Sequence, residues 1–547
     1  LQQQVFARLN RSQAGSPGLT DERLRLQRRP YIRTIPALLV LSCLSSACAT
    51  QRVDTDPTPV FDVPDTFTSV TPSDAMLPAP WWDDFNDPAL TTLIEKALYQ
   101  NLSLAQGRAR IERAQALLRQ ARALQKPTLD LETGLAREWE RIVHRETEDE
   151  ESGSSGAAAS TTSGDGMEGD SGSSSGGDRG GSERSFDRDS YETQYDLGLL
   201  LRWELDFWGR LKNATAAESE SLQASLLDQE ALRLLLSAQV AEAYYQALEQ
   251  RLQLRLLNDQ LTSARTYLEL IELRFLQGDA SSVDLLQQQG QVAEIEAELP
   301  SARAQLGLLE NRLDVLLGQL PDGEPLTALT ENDLPGPEAM NAMPVPATLL
   351  TRRPDLLAAQ RRVVAADYDI AVAVAERLPQ IVLDGSLILD GTGQETTLTA
   401  LSGLSLFQPL LDWGRRKAAV DAARATLEEQ LLVFSEAYLL AIEEVETTLW
   451  QENQQRQLVR ALANREEILN RTLEQTRLRY SQGITDYLPV LTAQQDLQEV
   501  QRELLRQRRA LVSLRVQLHR AVGGPTRTPA GEQSNETGSS QNNAEAS

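Results

Sequence analysis

Two histidines and two cysteines are all that this 547-residue chain offers for imidazole or thiol chemistry. His144 and His519 stand far apart, and Cys43 and Cys48 both lie in an apolar N-terminal segment. A zinc site or a histidine-based catalytic set needs such ligands in a cluster, and the spacing supplies none. The body of the chain has no disulfide framework either. Carboxylates are abundant, 79 Asp and Glu against 53 Lys and Arg, so a pair of them signals nothing about acid–base catalysis. A Gly-rich phosphate loop is lacking as well. The formal charge of −26 argues against a nucleic-acid partner, which would want a basic face. Apolar residues make up 41% of the chain, enough for a sizeable core. An enzyme is therefore the weakest reading of these residues, and no cofactor is expected.

One cysteine sits where chemistry is done to it. Arg23, Arg25, Arg28, Arg29 and Arg33 precede an apolar run from Ile35 to Leu44, followed by Ser45, Ser46, Ala47 and Cys48. The run is too short for a permanent membrane span and reads as a cleaved export signal. A small residue followed by Cys at the end of such a run resembles a bacterial lipobox. The resemblance implies that Cys48 becomes the lipid-bearing first residue of the mature protein. Leu44 lies one position further from Cys48 than the usual pattern, with Ser45 in its place. Lipidation at Cys43, after Val40-Leu41-Ser42, and plain cleavage are the other two readings. Ala49 after the cysteine resembles lipoproteins sorted to the outer membrane. Residues 1–47 are then signal and upstream extension, and 48–80 the anchor with a Pro-rich extended linker. No later segment offers about 18 uninterrupted apolar residues, so any entry into a membrane must be as closed β-structure.

The remaining chain is two copies of one unit. Trp208-Gly209-Arg210 matches Trp413-Gly414-Arg415, Leu273-Arg274-Phe275 matches Leu478-Arg479-Tyr480, and Gly318 matches Gly523, all at an offset of 205. Upstream, Pro127 and Pro379 are related by 252. The extra chain is an acidic low-complexity stretch; from Glu146 to Asp189 it holds twelve acids and three Arg. It buries too little apolar surface to offset its ordering entropy and reads as a disordered loop over about 143–189. The units span 81–320 and 347–524, with a Pro/Gly-rich connector at 321–346 and a disordered polar tail at 525–547. Leu211 to Gln277 and Arg415 to Ser481 contain no Pro or Gly and are rich in good helix formers. Each predicts a helix on the order of 100 Å long. Gly278 and Gly483 end these helices, and partner helices follow at Ser282–Leu317 and Asp486–Val522.

Four segments alternate with period 2: Thr128–Trp139, Tyr191–Leu205, Gln380–Asp390 and, more weakly, Leu398–Leu406. Apolar-out, polar-in strands of about ten residues mark a membrane barrel wall; a half-buried soluble sheet is the alternative. Four strands cannot close a barrel alone, so the barrel reading demands several copies. Trp139, Tyr191, Tyr195 and Trp203 lie on the apolar faces, as an interfacial girdle or as ordinary sheet packing.

At this point the sequence resembles the TolC-like outer-membrane efflux factor family, in its OprM/NodT lipoprotein branch. The residues that carry the resemblance are Trp81-Trp82-x-x-Phe85-x-Asp87-Pro88-x-Leu90, Ala97-Leu98-x-x-Asn101, Glu204-Leu205-Asp206-Phe207-Trp208-Gly209-Arg210, Arg352-Arg353-Pro354-Asp355-Leu356, Glu444-Val445-Glu446 and Ala521-Val522-Gly523-Gly524. Coverage runs from about Trp81 to Gly524, the acidic insertion excepted; at Trp208 the family more often has Leu or Phe. The resemblance implies a trimeric tube, a 12-stranded β-barrel continuous with a long α-helical barrel, mainly α with membrane β. It implies a passive efflux duct in the outer membrane of a Gram-negative cell. The implied partners are two further copies, outer-membrane lipids, a periplasmic adaptor and an inner-membrane transporter, of resistance-nodulation-division type. It further implies that the turns after Gly278 and Gly483 form a periplasmic tip, held shut by Asp284 and Tyr480 acting between neighbouring helices. A solvated Asp and a core Tyr are the plainer alternative. Thr492 stands where relatives carry an acidic ring residue, and Thr485 where a charge is common. Asp486 is either a ring carboxylate or a helix N-cap, with capping preferred. The acidic loop is an anionic fringe or a tolerated insertion. A structural or adhesive coiled-coil lipoprotein without a channel is the rival reading; it leaves the strands and the 205-residue repeat unexplained.

Overall fold

The computed structural model describes residues 52–63, 80–142, 188–323, 334, 352–392 and 395–524. The signal and Cys48, most of the linker and connector, the bulk of the acidic segment and the tail lie outside the described residues. A short 3-10 turn, Trp81–Phe85, opens the chain's first unit. The helices are α1 (Pro88–Gln100), α2 (Leu102–Ala123), α3 (Arg210–Gln277), α4 (Ser282–Leu316), α5 (Pro354–Ala375), α6 (Arg415–Ser481) and α7 (Leu488–Ala521). The strands are β1 (Thr128–Ile142), β2 (Arg188–Glu204), β3 (Gln380–Thr392) and β4 (Thr396–Phe407).

The compact units cut across the two sequence repeats. Helices from both repeats form one unit and the four strands form another. In the helical unit α2 packs on α3, α3 on α5, and α5 on α6, while α4 lies against α3 and α7 against α6 and α3. The long helices, 68 residues for α3 and 67 for α6, match their expected ends within a residue. Their ends are set by glycines in the left-handed region, Gly209 and Gly278 for α3, Gly414 and Gly483 for α6. Asp279 N donates to Arg274 O at 2.8 Å and Ile484 N to Arg479 O at 3.0 Å, the paired closing bonds of such ends.

The repeat holds at atomic detail. Gly318 and Gly523 both have positive φ, 75° and 70°. A Cβ on Gly318 would lie 2.5 Å from the Gln100 carbonyl, and one on Gly523 2.7 Å from the Arg352 carbonyl. Gln100 and Arg352 are themselves 252 apart, so both sequence offsets meet in one repeated contact.

The family motifs turn out to be locks. Asp87 caps α1 through Ala89 N and Leu90 N, and accepts from Tyr244 Oη at 2.9 Å. Asn101 caps α2 and sends its Nδ2 to Leu316 O at 2.8 Å, tying the start of α2 to the end of α4. Trp81 and Trp82 are fully buried, and Trp81 Nε1 donates to Ser237 Oγ at 3.0 Å. His519 stacks on Trp81 and meets Asp84 Oδ2 at 3.2 Å; that hydrogen bond holds the Asp84 carboxyl below its usual range, against burial. Arg353 grips both oxygens of Asp355, reaches Glu444 at 2.9 Å and donates to Ala521 O at 3.0 Å. Burial alone would lower this guanidinium, but the Asp355 and Glu444 bonds raise it. Glu444 also binds Arg520.

Part of the linker is docked. Asp54 N donates to Asp367 Oδ2 at 2.8 Å, Val60 N to Ser435 Oγ at 3.2 Å, and Phe61 lies 6.0 Å from the Tyr438 ring. Residues 52–63 therefore run over α5 and α6.

Candidate functional site

The sheet is antiparallel throughout, in the order β1-β2-β3-β4, so β1 and β4 are its edges. The pairing has no bulge within the described ladders, so a single parity decides the face of every side chain. Leu129, Leu131 and Leu135 pair with Leu201, Leu199 and Tyr195; Leu197, Leu199 and Trp203 pair with Leu389, Leu387 and Leu383; Leu383 and Leu389 pair with Leu404 and Leu398. All lie on one face. Leu131 is 65% exposed and Leu135 80%, and most of the others are exposed too. A soluble sheet would cover such a face with other apolar residues.

Aromatics bracket this face. Trp203 is half-buried near one end; Trp139 and Tyr195 are exposed towards the other. Trp139 pairs with Tyr191, so about 40 Å of strand separates its level from Trp203. A tilt of about 40° shortens that to about 30 Å, the thickness of a bilayer's hydrocarbon core. Tyr195 Oη crosses β3 at Gly391 to share a hydrogen bond with Thr396 Oγ1 at 2.7 Å. A Cβ on Gly391 would meet that phenol at 2.6 Å, so glycine is what lets the ring cross.

The opposite face is acidic. It presents Asp130, Glu132, Asp196, Asp384 and Asp390, with Arg202 the one base among its described side chains. Gly134 leaves room for the Asp196 carboxylate, and Asp384 accepts from Ser405 Oγ at 2.6 Å. Leu200, Leu401 and Phe407 break the pattern on this side, which is why β4 alternates weakly in sequence.

The ladder extends β2 back to Arg188, where that residue pairs with Ile142. Arg188 and Asp189 are thus strand residues, a correction to the loop expected over 143–189. Backbone pairing continues past the point where apolar alternation stops.

Within the helical unit, the turns after Gly278 and Gly483 bring α3, α4, α6 and α7 together. Tyr480 is buried, packs tilted against Tyr487 with ring centroids 5.4 Å apart and lies under the Arg274 guanidinium at 4.6 Å; its Oη has no hydrogen-bond partner among the described residues. Arg477 lies over Tyr267 at 4.8 Å. These two cation–π contacts tie the ends of α3 and α6. Tyr487 donates to Gln288 Oε1, and Gln288 Nε2 to Ala264 O at 2.7 Å. Burial raises the Tyr487 phenol well above its ordinary range. Gln291 exchanges hydrogen bonds with Gln498 and Gln495.

The expected gate pair is not joined within the chain. Asp284 closes a capping box, accepting from Ser281 N at 3.0 Å while its own N donates to Ser281 Oγ at 3.1 Å. Asp486 is not the N-cap preferred for it. Helix α7 begins at Leu488 with Tyr487 as its N-cap and no side-chain cap, because Pro489 sets the first turn. Asp486 is exposed, two residues before the first helical residue. The glutamine contacts went unread in the sequence; the runs Gln287-Gln288-Gln289 and Gln494-Gln495 were their only signal.

A sheet with one uncovered apolar face, bracketed by aromatics and carried by a chain of long helical hairpins, defines an outer-membrane channel protein. The chain belongs to the outer membrane efflux protein family, whose sequence profile matches residues 170–319 and 345–524. It is 30% identical over 510 residues to the pyoverdine export outer membrane protein OpmQ of Pseudomonas putida, covering 90% of this chain and 98% of that one. It is 28% identical over 450 residues to nodulation protein T of Rhizobium leguminosarum bv. trifolii, covering 81% and 87%. The solved outer-membrane channel OprN shares its fold, with a TM-score of 0.70 at 24% identity over 86% of this chain and 99% of that one. The chain is thus an efflux protein of the outer membrane, from a family of channel proteins with two tandem repeats.

Proposed function

We propose that this chain is the exit-duct subunit of a tripartite efflux pump. Three copies close their sheets into one 12-stranded barrel, and small molecules pass through it passively. An inner-membrane transporter, of resistance-nodulation-division type, supplies the energy, and a periplasmic adaptor docks at the turns after Gly278 and Gly483. Cys48 carries the lipid that helps hold the assembly in the membrane. The chain itself catalyses nothing.

The observation that carries this reading is the sheet. Its register collects the apolar side chains on one face and leaves two long edges, β1 and β4, without partners among the described residues. In hydrocarbon every backbone N–H and C=O must be paired, so an open sheet edge is untenable there. Copies joined edge to edge satisfy both edges at once. The apolar face then meets lipid and the acidic face the lumen.

The test is reconstitution. Protein extracted from outer membranes in detergent should run as a heat-resistant trimer and conduct ions in planar bilayers. Monomers released without detergent would rule the reading out and favour a structural coiled-coil lipoprotein.

A further inference from the structure

Buried polar atoms without a partner are not spread evenly over the helical unit. From Arg477 to Gln494, the end of α6 through the start of α7, five side-chain atoms lack a hydrogen bond among the described residues. They are Arg477 Nε, Tyr480 Oη, Thr485 Oγ1 and both amide atoms of Gln494. The repeat-equivalent stretch of the first hairpin, Glu272 to Gln289, has none. Gln494 is only 2% exposed, and all five atoms are closed off from solvent. A neighbouring subunit therefore cannot supply the missing partners unless the tip moves. An unpaired buried polar atom is costly, so other contacts must hold the second hairpin in this arrangement.

Each hairpin has its own apolar core, with Leu261, Val292 and Ile295 between α3 and α4, and Leu473, Val490 and Leu497 between α6 and α7. Across the seam from α7 to the first hairpin, the contacts near the tip are polar and uncharged. Tyr487 donates to Gln288 Oε1 on α4, and Gln288 Nε2 to Ala264 O on α3 at 2.7 Å, so one amide joins three helices. One turn along α4, Gln291 accepts from Gln495 and donates to Gln498 Oε1 at 3.3 Å. Among the described residues, charged pairs from α7 to the first hairpin begin only at Arg502, which meets Glu298 at 3.4 Å. An amide both donates and accepts, so such a seam comes apart and re-forms without desolvating a charge. Tyr487, Gln494, Gln498 and Gln501 lie on one stripe of α7 by their spacing. Gln494 is the amide on that stripe left with nothing bound. A displacement of α7 by about one turn, roughly 6 Å, brings it to the level of Gln291, where Gln498 now stands. The same step takes Tyr487 off Gln288.

We propose that the tip of each subunit is latched from within by Tyr487 on Gln288, and that Gln494 is the residue that favours release. The two act in opposite directions. The phenol–amide bond exists only in the latched form and stabilises it. The unpaired Gln494 amide burdens the latched form and finds its partner in the displaced one, which narrows the gap between the two states. Both are positioning residues: neither needs to touch what passes through. Asp284 is engaged by its own capping box and has no part in this latch. The proposal rests on the duct reading above and names the side chains that set how often such a duct opens.

The experiment measures open probability of the full chain in planar bilayers and the thermal midpoint of the same preparations. Tyr487→Phe removes the latch bond and little else; it should lower the midpoint and raise open probability by about fivefold to tenfold. Gln494→Leu replaces the unpaired amide by an apolar group of similar volume, in the same core. It should raise the midpoint and make openings rarer by about the same factor. Combined, the two should return open probability towards that of the unsubstituted protein. A merely structural role predicts instead that both changes lower the midpoint and that neither opposes the other in gating. A destabilising Gln494→Leu, or a Tyr487→Phe that assembles normally and gates as before, would overturn the latch and leave the duct reading standing. So would an Asp284→Ala that opens as far as Tyr487→Phe while Ser281→Ala does not. Unsubstituted protein that never conducts would overturn both.

Discussion

At the residue scale, the positions singled out in sequence divide into joints and working parts. Gly318 and Gly523 are joints: each combines a positive φ with a carbonyl where a Cβ would go. Gly318→Ala should cost about 2 kcal/mol or more, read as a lowered thermal midpoint. Asp84 adds a pH dependence to the same region. Its carboxyl is held low by the His519 hydrogen bond, so the stability it contributes is present above the usual carboxylate pKa and is lost as pH falls through its lowered value. Thermal midpoints should therefore fall with acidification below about pH 4, and Asp84→Asn should flatten that part of the profile. At the tip, Asp284 serves its own helix as a cap, so its removal has two effects. Asp284→Ala should raise single-channel conductance if the carboxylate also bridges to Tyr480 of a neighbour. Ser281→Ala breaks the same capping box and should leave conductance alone; equal effects of both would reduce Asp284 to a cap.

At the element scale, what the sequence reveals is whatever is local. The ends of α3 and α6 were legible because Gly209, Gly278, Gly414 and Gly483 stop helices whose interiors hold no breaker. The strands were legible from period 2, and so was the face each residue takes. The tip was not. Gln288, Gln291 and Gln498 are ordinary helix formers until two hairpins from different repeats press them together, and Arg274 finds Tyr480 only across 206 positions of chain. Asp486 misled because an acid before a helix looks like a cap, while Pro489 fixes the start one residue later. The sheet offers a sharp test of facing. Leu199 and Leu200 are neighbours on opposite faces. Leu199→Arg should impair membrane insertion by roughly 2–4 kcal/mol, seen as lost outer-membrane protein. Leu200→Arg should assemble normally.

At the scale of the whole molecule, two chemically different surfaces repeat around the proposed tube. The acidic sheet face, turned inward, makes the lumen attractive to cations. Bilayer reversal potentials should show cation preference, and Asp196→Asn with Asp384→Asn should weaken it. One further property follows from the ladder at Ile142 and Arg188, where β1 and β2 make their last pair. Closing a longer chain segment over that pair costs only about 0.6 kcal/mol per doubling of its length. The first hairpin already uses that allowance, with 45 residues between Ile142 and Arg188, and the second, turning within a few residues between Thr392 and Thr396, does not. The first hairpin is therefore a natural cassette: an epitope, a protease site or a fluorescent label spliced between Ile142 and Arg188 would be carried without changing how the barrel is built.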